Sequence, residues 1–246
     1  MDPKILIALQ FWEGDKSRAM ALARYLADLE PAHSERADFL FAARFDCVPD
    51  PATVSYVARK FNVFSIISRR RTVGWPAGCN DLWFSVMEWV QAMTAAGKIP
   101  KYKAVFTCEA DGGPTQKNWT EWMSLEWERV NQERPVIMAG ALLPPITGCT
   151  DRWHINGNAL MSGNANFLYW IGRKVGCCSA NIGWDFGLAP DFERLGWADV
   201  PGMRSIYNQP GFSWERFEEF VRTPLFWVHG CKDDSLIRHG RRMFQV

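Results

Sequence analysis

Two carboxylates stand one residue apart where an apolar run ends, in Lys103-Ala104-Val105-Phe106-Thr107-Cys108-Glu109-Ala110-Asp111-Gly112-Gly113-Pro114. The run reads as a buried strand. Acids at its exposed end, with a glycine turn behind them, can both reach one hard cation, and carboxylate oxygens suit Mg2+ or Mn2+. A cation held there can carry a diphosphate, which makes a nucleotide or nucleotide-sugar donor the natural substrate. Much later, Leu225-Phe226-Trp227-Val228 reads as another apolar strand and delivers His229-Gly230-Cys231-Lys232. An imidazole can complete the coordination of Mn2+, and the Lys232 ammonium can neutralise a leaving diphosphate.

Further candidates surround these. Asp185 lies between Trp184 and Phe186, where desolvation would raise its pKa toward that of a general base. A helix or turn cap is its plainer role, and Asp191 and Glu193 stand close enough to substitute. His154-Ile155-Asn156-Gly157-Asn158 packs imidazole, amides and a flexible backbone into five residues, suited to reading sugar hydroxyls. Trp184 joins His154, Asn156, Gly157 and Asn158 as a candidate for acceptor or sugar contact. In Gly74-Trp75-Pro76-Ala77-Gly78-Cys79-Asn80-Asp81, Asn80 or Asp81 could cap a helix and touch the nucleotide or sugar. Gln10, Phe11 and Trp12 could hold the base, and Arg44 with Asp46 the nucleoside, because ligands of open α/β sheets lie at strand carboxyl ends.

The elements that must position these residues alternate. Lys4 to Gln10 reads as a strand, Lys16 to Leu29 as an amphipathic helix with Ala19, Leu22, Ala23 and Leu26 on one face, and Asp38 to Arg44 as a strand. Pro51 to Phe61 follows as a helix, Val63 to Ile67 as a strand, Asp81 to Ala96 as a helix and Ala104 to Cys108 as the strand that ends at the acids. Asn118 to Gln132 is helical and Pro135 to Leu143 is a strand. Such alternation predicts an α/β fold with a mostly parallel, Rossmann-like central sheet flanked by helices. After Leu143, Pro144-Pro145 opens a loop that runs through His154 to Asn158. Helices are expected over Asn164 to Val175 and Trp214 to Arg222.

At 246 residues with no linker of low complexity, a single domain is expected. Residues 1–143 would form its nucleotide-sugar half and 144–246 its acceptor half. The 13 Trp and 16 Phe suit a large core and flat surfaces for ring-shaped ligands. A net charge of +1 excludes a global field drawing in nucleic acid, although Arg69-Arg70-Arg71 and the group Arg238, His239, Arg241, Arg242 are local basic clusters. No apolar stretch is long enough for a membrane span and the N-terminal one is too short for a signal peptide, so a cytoplasmic protein without integral membrane association is expected. The seven cysteines lack regular spacing, and the adjacent Cys177 and Cys178 suit free thiols in a reducing compartment better than bridges. Neither G-x-G-x-x-G nor a P-loop signature occurs, so a bound diphosphate would depend on a metal.

Glu109-Ala110-Asp111 in the place of an Asp-x-Asp motif, the β-α-β-α-β start and His229-Gly230-Cys231-Lys232 together resemble the nucleotide-sugar-dependent glycosyltransferases of the GT-A fold. The resemblance covers nearly the whole chain. It implies a hexosyl- or pentosyltransferase that uses Mn2+ or Mg2+ and a nucleotide-diphosphate sugar. Asp111 and His229 would be metal ligands, Glu109 a ligand or ribose partner, Ala110 a donor contact, Lys232 the aid to departure, and Asp185 the base. A Glu replaces the first Asp of the motif. The acceptor would be a glycan, a small molecule or a hydroxylated base in DNA. Nucleotidyl transfer to a sugar phosphate is a second reading, but Phe11-Trp12-Glu13-Gly14-Asp15 lacks the Gly-rich basic loop which that chemistry needs. A non-catalytic sugar-binding module is a third.

Overall fold

The structure is a computed structural model that describes residues 3–146, 150–174 and 181–246. Cys177, Cys178 and the end of the expected helix at Val175 lie outside the described residues. Strands β1 (Ile5–Phe11), β2 (Ala37–Ala43), β3 (Val63–Ile67) and β4 (Ala104–Glu109) form a parallel block in the order β3-β2-β1-β4. The sheet continues through β7 (His154–Ser162), antiparallel to β4, and β6 (Met138–Leu143), antiparallel to β7, to the edge strand β8 (Trp197–Asp199), parallel to β6. Seven strands, mostly parallel, make up this α/β core.

Every residue of β1 and β2 is buried, because helices cover both faces of the sheet. Ile5, Ile7 and Leu9 pack with α1 (Lys16–Asp28) and α4 (Trp119–Glu133), while Leu6 and Ala8 pack with α3 (Ala77–Ala95) and α5 (Ala165–Gly172) on the other side. Between β2 and β3, α2 (Pro51–Val57) starts with Pro51, and the Asp50 carboxylate accepts from Thr53 N at 2.9 Å. A single turn, α6 (Trp184–Gly187), and α7 (Ala189–Leu195) lie beside the second face.

A second, three-stranded sheet joins β5 (Gly112–Pro114), β10 (Trp227–Cys231) and β9 (Met203–Gln209) in the order β5-β10-β9. It packs with α8 (Trp214–Val221) and α9 (Ser235–Phe244) in a smaller core around Phe217 and Val228. Trp227 links the two sheets. Its fully buried ring meets Phe106 edge-on at 4.7 Å between centroids and lies 5.7 Å from Trp119.

Apart from shifted element ends and helices α6, α7 and α9, which were not expected, the structure departs from the sequence reading in three places. Helix α3 begins at Ala77 with Pro76 at its N-cap, so Asn80 and Asp81 lie inside its first turns and do not cap it. His154 to Asn158 is the start of β7, where His154 and Ile155 pair with β6 and Ala159 to Met161 with both β6 and β4, so the Asn-Gly-Asn run spans the register irregularity between these pairings instead of forming a turn. Strands β5, β8 and β9 were not expected. Two of them have only three residues, too few for a periodic signal.

Trp227→Ala should cost about 3–5 kcal/mol, the usual range for deleting a buried aromatic. Urea denaturation with an unchanged m-value is the check.

Candidate active site

Strand β4 carries Glu109 to the carboxyl edge of the sheet beside Gln10 of β1. The chain then turns through Asp111 into β5, whose antiparallel pairing with β10 sets His229 opposite Gly112. The Asp111 carbonyl accepts from Gly230 N at 3.0 Å and Cys231 N at 2.9 Å, which locks the acidic turn to β10. As a result His229 Nε2 lies 3.4 Å from Glu109 Oε2 and 3.2 Å from Asp111 Oδ1, and Lys232 Nζ donates to Asp111 Oδ2. Gly230 has φ +97°, and a Cβ there would come within 2.9 Å of Asn208 N, so only glycine fits this crossing.

Glu109, Asp111 and His229 each offer a ligand atom, all within 4.8 Å of one another. Asp111 Oδ1 is buried and makes no hydrogen bond, since the nearby imidazole is not aligned for one. Two carboxylates, an imidazole and an unsatisfied buried oxygen suit Mn2+ or Mg2+. Burial alone would raise the Asp111 carboxyl, but His229 and Lys232 outweigh it and hold the group well below the usual carboxylate range. Burial likewise disfavours the His229 cation, and Asp111 with Glu109 outweighs it and raises the ring.

These groups open into a cleft of about 590 Å³. Of the sequence candidates, Gln10, Phe11, Trp12, Asn80, Glu109, Ala110, Asp111, His154, Asn156, Gly157, Trp184, Asp185, His229 and Lys232 all line it. Asp185 is half-buried, and its carboxyl is raised to about 7 by burial and then by the Glu109 charge, against the pull of backbone N–H groups. Asn80 braces the turn that carries it. The Asn80 amide donates to Ile182 O at 2.9 Å, and its Oδ1 accepts from Trp184 N at 2.7 Å. Trp184 stacks on Trp83 at 4.1 Å, and His154, with a pKa lowered by burial, meets Phe186 edge-on at 4.5 Å. Both rings thus pack against aromatic neighbours while lining the cleft.

Four candidates do not line it. Arg44 pairs with Asp46, and its guanidinium lies 4.8 Å from the Trp12 ring centre, so the pair supports Trp12 from behind. Asp81 pairs with Arg70 at 3.7 Å. Asn158 turns inward, where its Oδ1 accepts from Glu109 N at 3.3 Å. The sequence reading also missed several lining residues, among them Asp15, Arg18, Trp75, Ser205, Tyr207 and Asn208. Arg18 donates to Lys232 O at 2.7 Å, tying α1 to the segment after β10. Burial raises the Asp15 carboxyl to about 6, opposed by the Trp12 N–H and Arg18. An acid three residues before an arginine at a strand-to-helix turn was the available signal for that pair.

The sequence matches no protein-family model and no curated protein. Among solved structures, the apo WbbM bifunctional glycosyltransferase superposes with a TM-score of 0.55 at 10% identity, over 93% of this chain and 46% of that one. A glycosyltransferase involved in the glycosylation of the major capsid of PBCV-1 gives 0.53 at 13% identity, over 99% of this chain and 100% of that one. The chain shares the α/β fold, of GT-A type, of these structures. GlyE of Streptococcus pneumoniae TIGR4 gives 0.53 at 11% identity, over 95% of this chain and 56% of that one. The chain thus spans about half the length of WbbM and GlyE. In this GT-A chain the cleft sits where ligands of open α/β sheets bind, outside the carboxyl ends of β1 and β4.

Two outcomes follow from this geometry. A Cβ on Gly157 would lie 3.1 Å from Glu109 Oε1, so Gly157→Ala should push that carboxylate aside and weaken Mn2+ binding about tenfold by calorimetry. Because the folded-state pKa of Asp185 is raised, stability falls as pH rises from the unfolded value near 4 through about 7. Asp185→Asn removes that loss. Its melting temperature should match the parent at about pH 4 and exceed it by roughly 5 °C at pH 8.

Proposed function

We propose that the protein is a metal-dependent glycosyltransferase that moves a hexosyl or pentosyl group from a nucleotide-diphosphate sugar to a hydroxyl acceptor. The observation that carries this reading is the convergence of Glu109, Asp111 and His229 at the carboxyl edge of a GT-A sheet. Glu109 and His229 are 120 positions apart in sequence, so local turn chemistry does not account for their meeting.

Gln10, Phe11 and Trp12 take the base of the donor, and Arg44 stiffens Trp12 from behind. Glu109, Asp111 and His229 would hold Mn2+ or Mg2+, which supplies Lewis-acid stabilisation of the departing diphosphate when bound. Lys232 leaves Asp111 to meet the diphosphate, and Arg18, already fixed to the Lys232 carbonyl, adds a second cation beside it. Asp185, with a pKa near neutrality, accepts the acceptor's hydroxyl proton as that oxygen attacks the anomeric carbon. The first half of the chain supplies the nucleotide side, and Asn156 and the Asp185 turn of the second half supply the acceptor side. No helix among the described residues is long and apolar enough to cross a membrane, which is compatible with a cytoplasmic setting.

Donor hydrolysis by the purified protein should be stimulated by Mn2+ and abolished by EDTA. Asp111→Asn should lower it at least a hundredfold and remove the Mn2+-dependent thermal shift with nucleotide sugars. A shift unchanged in Asp111→Asn would refute the metal assignment. Asp185→Asn should keep the donor-induced shift and lose transfer; retained transfer would remove Asp185 as base. Release of pyrophosphate from a nucleoside triphosphate would instead favour nucleotidyl transfer.

A further inference from the structure

The two edges of the seven-stranded sheet are finished differently. Strand β8 has three residues, Trp197 O accepts from Arg134 Nη2 at 2.7 Å, and the Asp199 carboxylate accepts from Leu142 N at 2.9 Å. Short, occupied edges of this kind resist further pairing. At the other edge β3 runs for five residues without a charge, Val63-Phe64-Ser65-Ile66-Ile67, and among the described residues it pairs with β2 alone. Asn62 O accepts from Phe39 N and Ser68 N donates to Ala43 O, both at 2.8 Å, so the backbone of Asn62, Phe64, Ile66 and Ser68 turns toward β2. The N–H and C=O groups of Val63, Ser65 and Ile67 therefore point away from the sheet. Phe64 and Ile66 pack into the core beside α3, whereas Ser65 and Ile67 are exposed, Ile67 by 49%. An uncharged strand with three outward donor and acceptor pairs is a template for one more strand.

Charge selects what can add there. Strand β3 lies between Arg59-Lys60 and Arg69-Arg70-Arg71. Arg70 pairs with Asp81 and Glu88, but among the described residues Arg59, Lys60, Arg69 and Arg71 pair with no carboxylate. Arg59 lies over the Tyr56 ring at 3.9 Å instead, and Lys60 donates to Pro31 O at 3.1 Å. A second copy of the chain is a poor occupant. Antiparallel pairing about Ser65 would set Arg70 and Arg71 of each copy against Lys60 and Arg59 of the other, and like charges so placed repel. A lipid surface is no better, because it would leave the outward N–H and C=O groups without hydrogen-bond partners. An extended peptide with acidic ends meets both requirements.

We infer that the β3 edge binds an extended peptide segment that adds to the sheet as an eighth strand, with acidic residues at its ends meeting Arg59 and Lys60 on one side and Arg69 and Arg71 on the other. Hydrogen bonds to Val63, Ser65 and Ile67 fix its register, and the four cations select its charge. None of these residues lines the cleft, so the inference stands apart from the reaction proposed there.

Fluorescence anisotropy on the full chain tests this with a labelled peptide of alternating valine and threonine that carries acidic residues at both ends. The comparison probes are the same peptide with lysine ends, a single-stranded oligonucleotide, and, by sedimentation, vesicles containing phosphatidylglycerol. The acidic peptide should bind, weaken as salt is raised, and shift the amide resonances of Val63, Ser65 and Ile67. The lysine peptide should not bind. Ser65→Pro removes an outward N–H that β2 does not use, and edge strands tolerate proline there. It should keep the fold and weaken the acidic peptide about tenfold, whereas Ser65→Ala, which keeps the N–H, retains binding. Arg69→Glu combined with Arg71→Glu, both at exposed positions, should also weaken it about tenfold while leaving the backbone ladder intact. Equal binding of the acidic and lysine peptides, or binding unchanged in both Ser65→Pro and the double glutamate variant, would overturn the inference. So would stronger binding of the oligonucleotide or the vesicles, or a dimer of the free chain that Ser65→Pro abolishes.

Discussion

The pairing of β10 with β5 holds the cleft together. Through it the Asp111 carbonyl is fixed by two backbone N–H groups, and the same strand presents an imidazole and, one turn of chain later, an ammonium to the Asp111 carboxylate. Burying a carboxylate with 4% of its side chain exposed is costly, and ion pairs in such places rarely add net stability over an apolar core. A purely structural account would therefore favour a hydrophobic residue at this turn. The cluster makes sense as a site whose charges are balanced internally until a ligand redistributes them. Asp111 Oδ1, buried and without a hydrogen bond, is the position where that balance is incomplete.

Around this cluster the supporting contacts are directional. Asn158, on the strand next to β4, accepts from Glu109 N and fixes where β4 ends. Asn80 holds Ile182 O and Trp184 N at once, and Trp184 in turn stacks on Trp83 of α3. Asp185 is thus mounted on a turn clamped to a long helix, although the turn itself has only four residues. Side chains that position a reacting group gain precision from rigid elements behind them, and α3 supplies that rigidity here.

The parts of this arrangement legible in the sequence were those with a periodic or terminal signature. The apolar run into Glu109 and Asp111 and the amphipathic α1 read correctly, because burial imposes a pattern on neighbouring residues, and a late strand was found too, but over Trp227 to Cys231 instead of Leu225 to Val228. Short elements carried no such pattern. Gly112 to Pro114 looks like a turn and becomes a strand only because β10, more than a hundred positions later, supplies its partner. Asn156, Gly157 and Asn158 look like a loop for the same reason, being polar residues at a strand end that faces a cleft. Arg44, Asp46 and Asp81 lie outside the cleft lining, and each pairs with a group of opposite charge close in the fold, which sequence spacing alone did not reveal. Tyr207 and Asn208 carried no signal because their place in the cleft lining follows from backbone angles at a register slip, which no side-chain pattern records.

The charge of the cleft also links the two ends of the proposed reaction. Glu109 and Asp111 repel a diphosphate as strongly as they attract a cation, and Lys232 is already committed to Asp111. In the proposed reaction Glu109, Asp111 and His229 would hold the divalent ion, whose charge would offset that repulsion, and Lys232 would then be available to the diphosphate. The same carboxylates act on Asp185 in the other direction. Burial and then the Glu109 charge raise its pKa, so neutralising Glu109 would remove the smaller of the two causes and lower it part-way. In the proposed reaction, donor arrival at Glu109 and ionisation of Asp185 would therefore be coupled through one carboxylate.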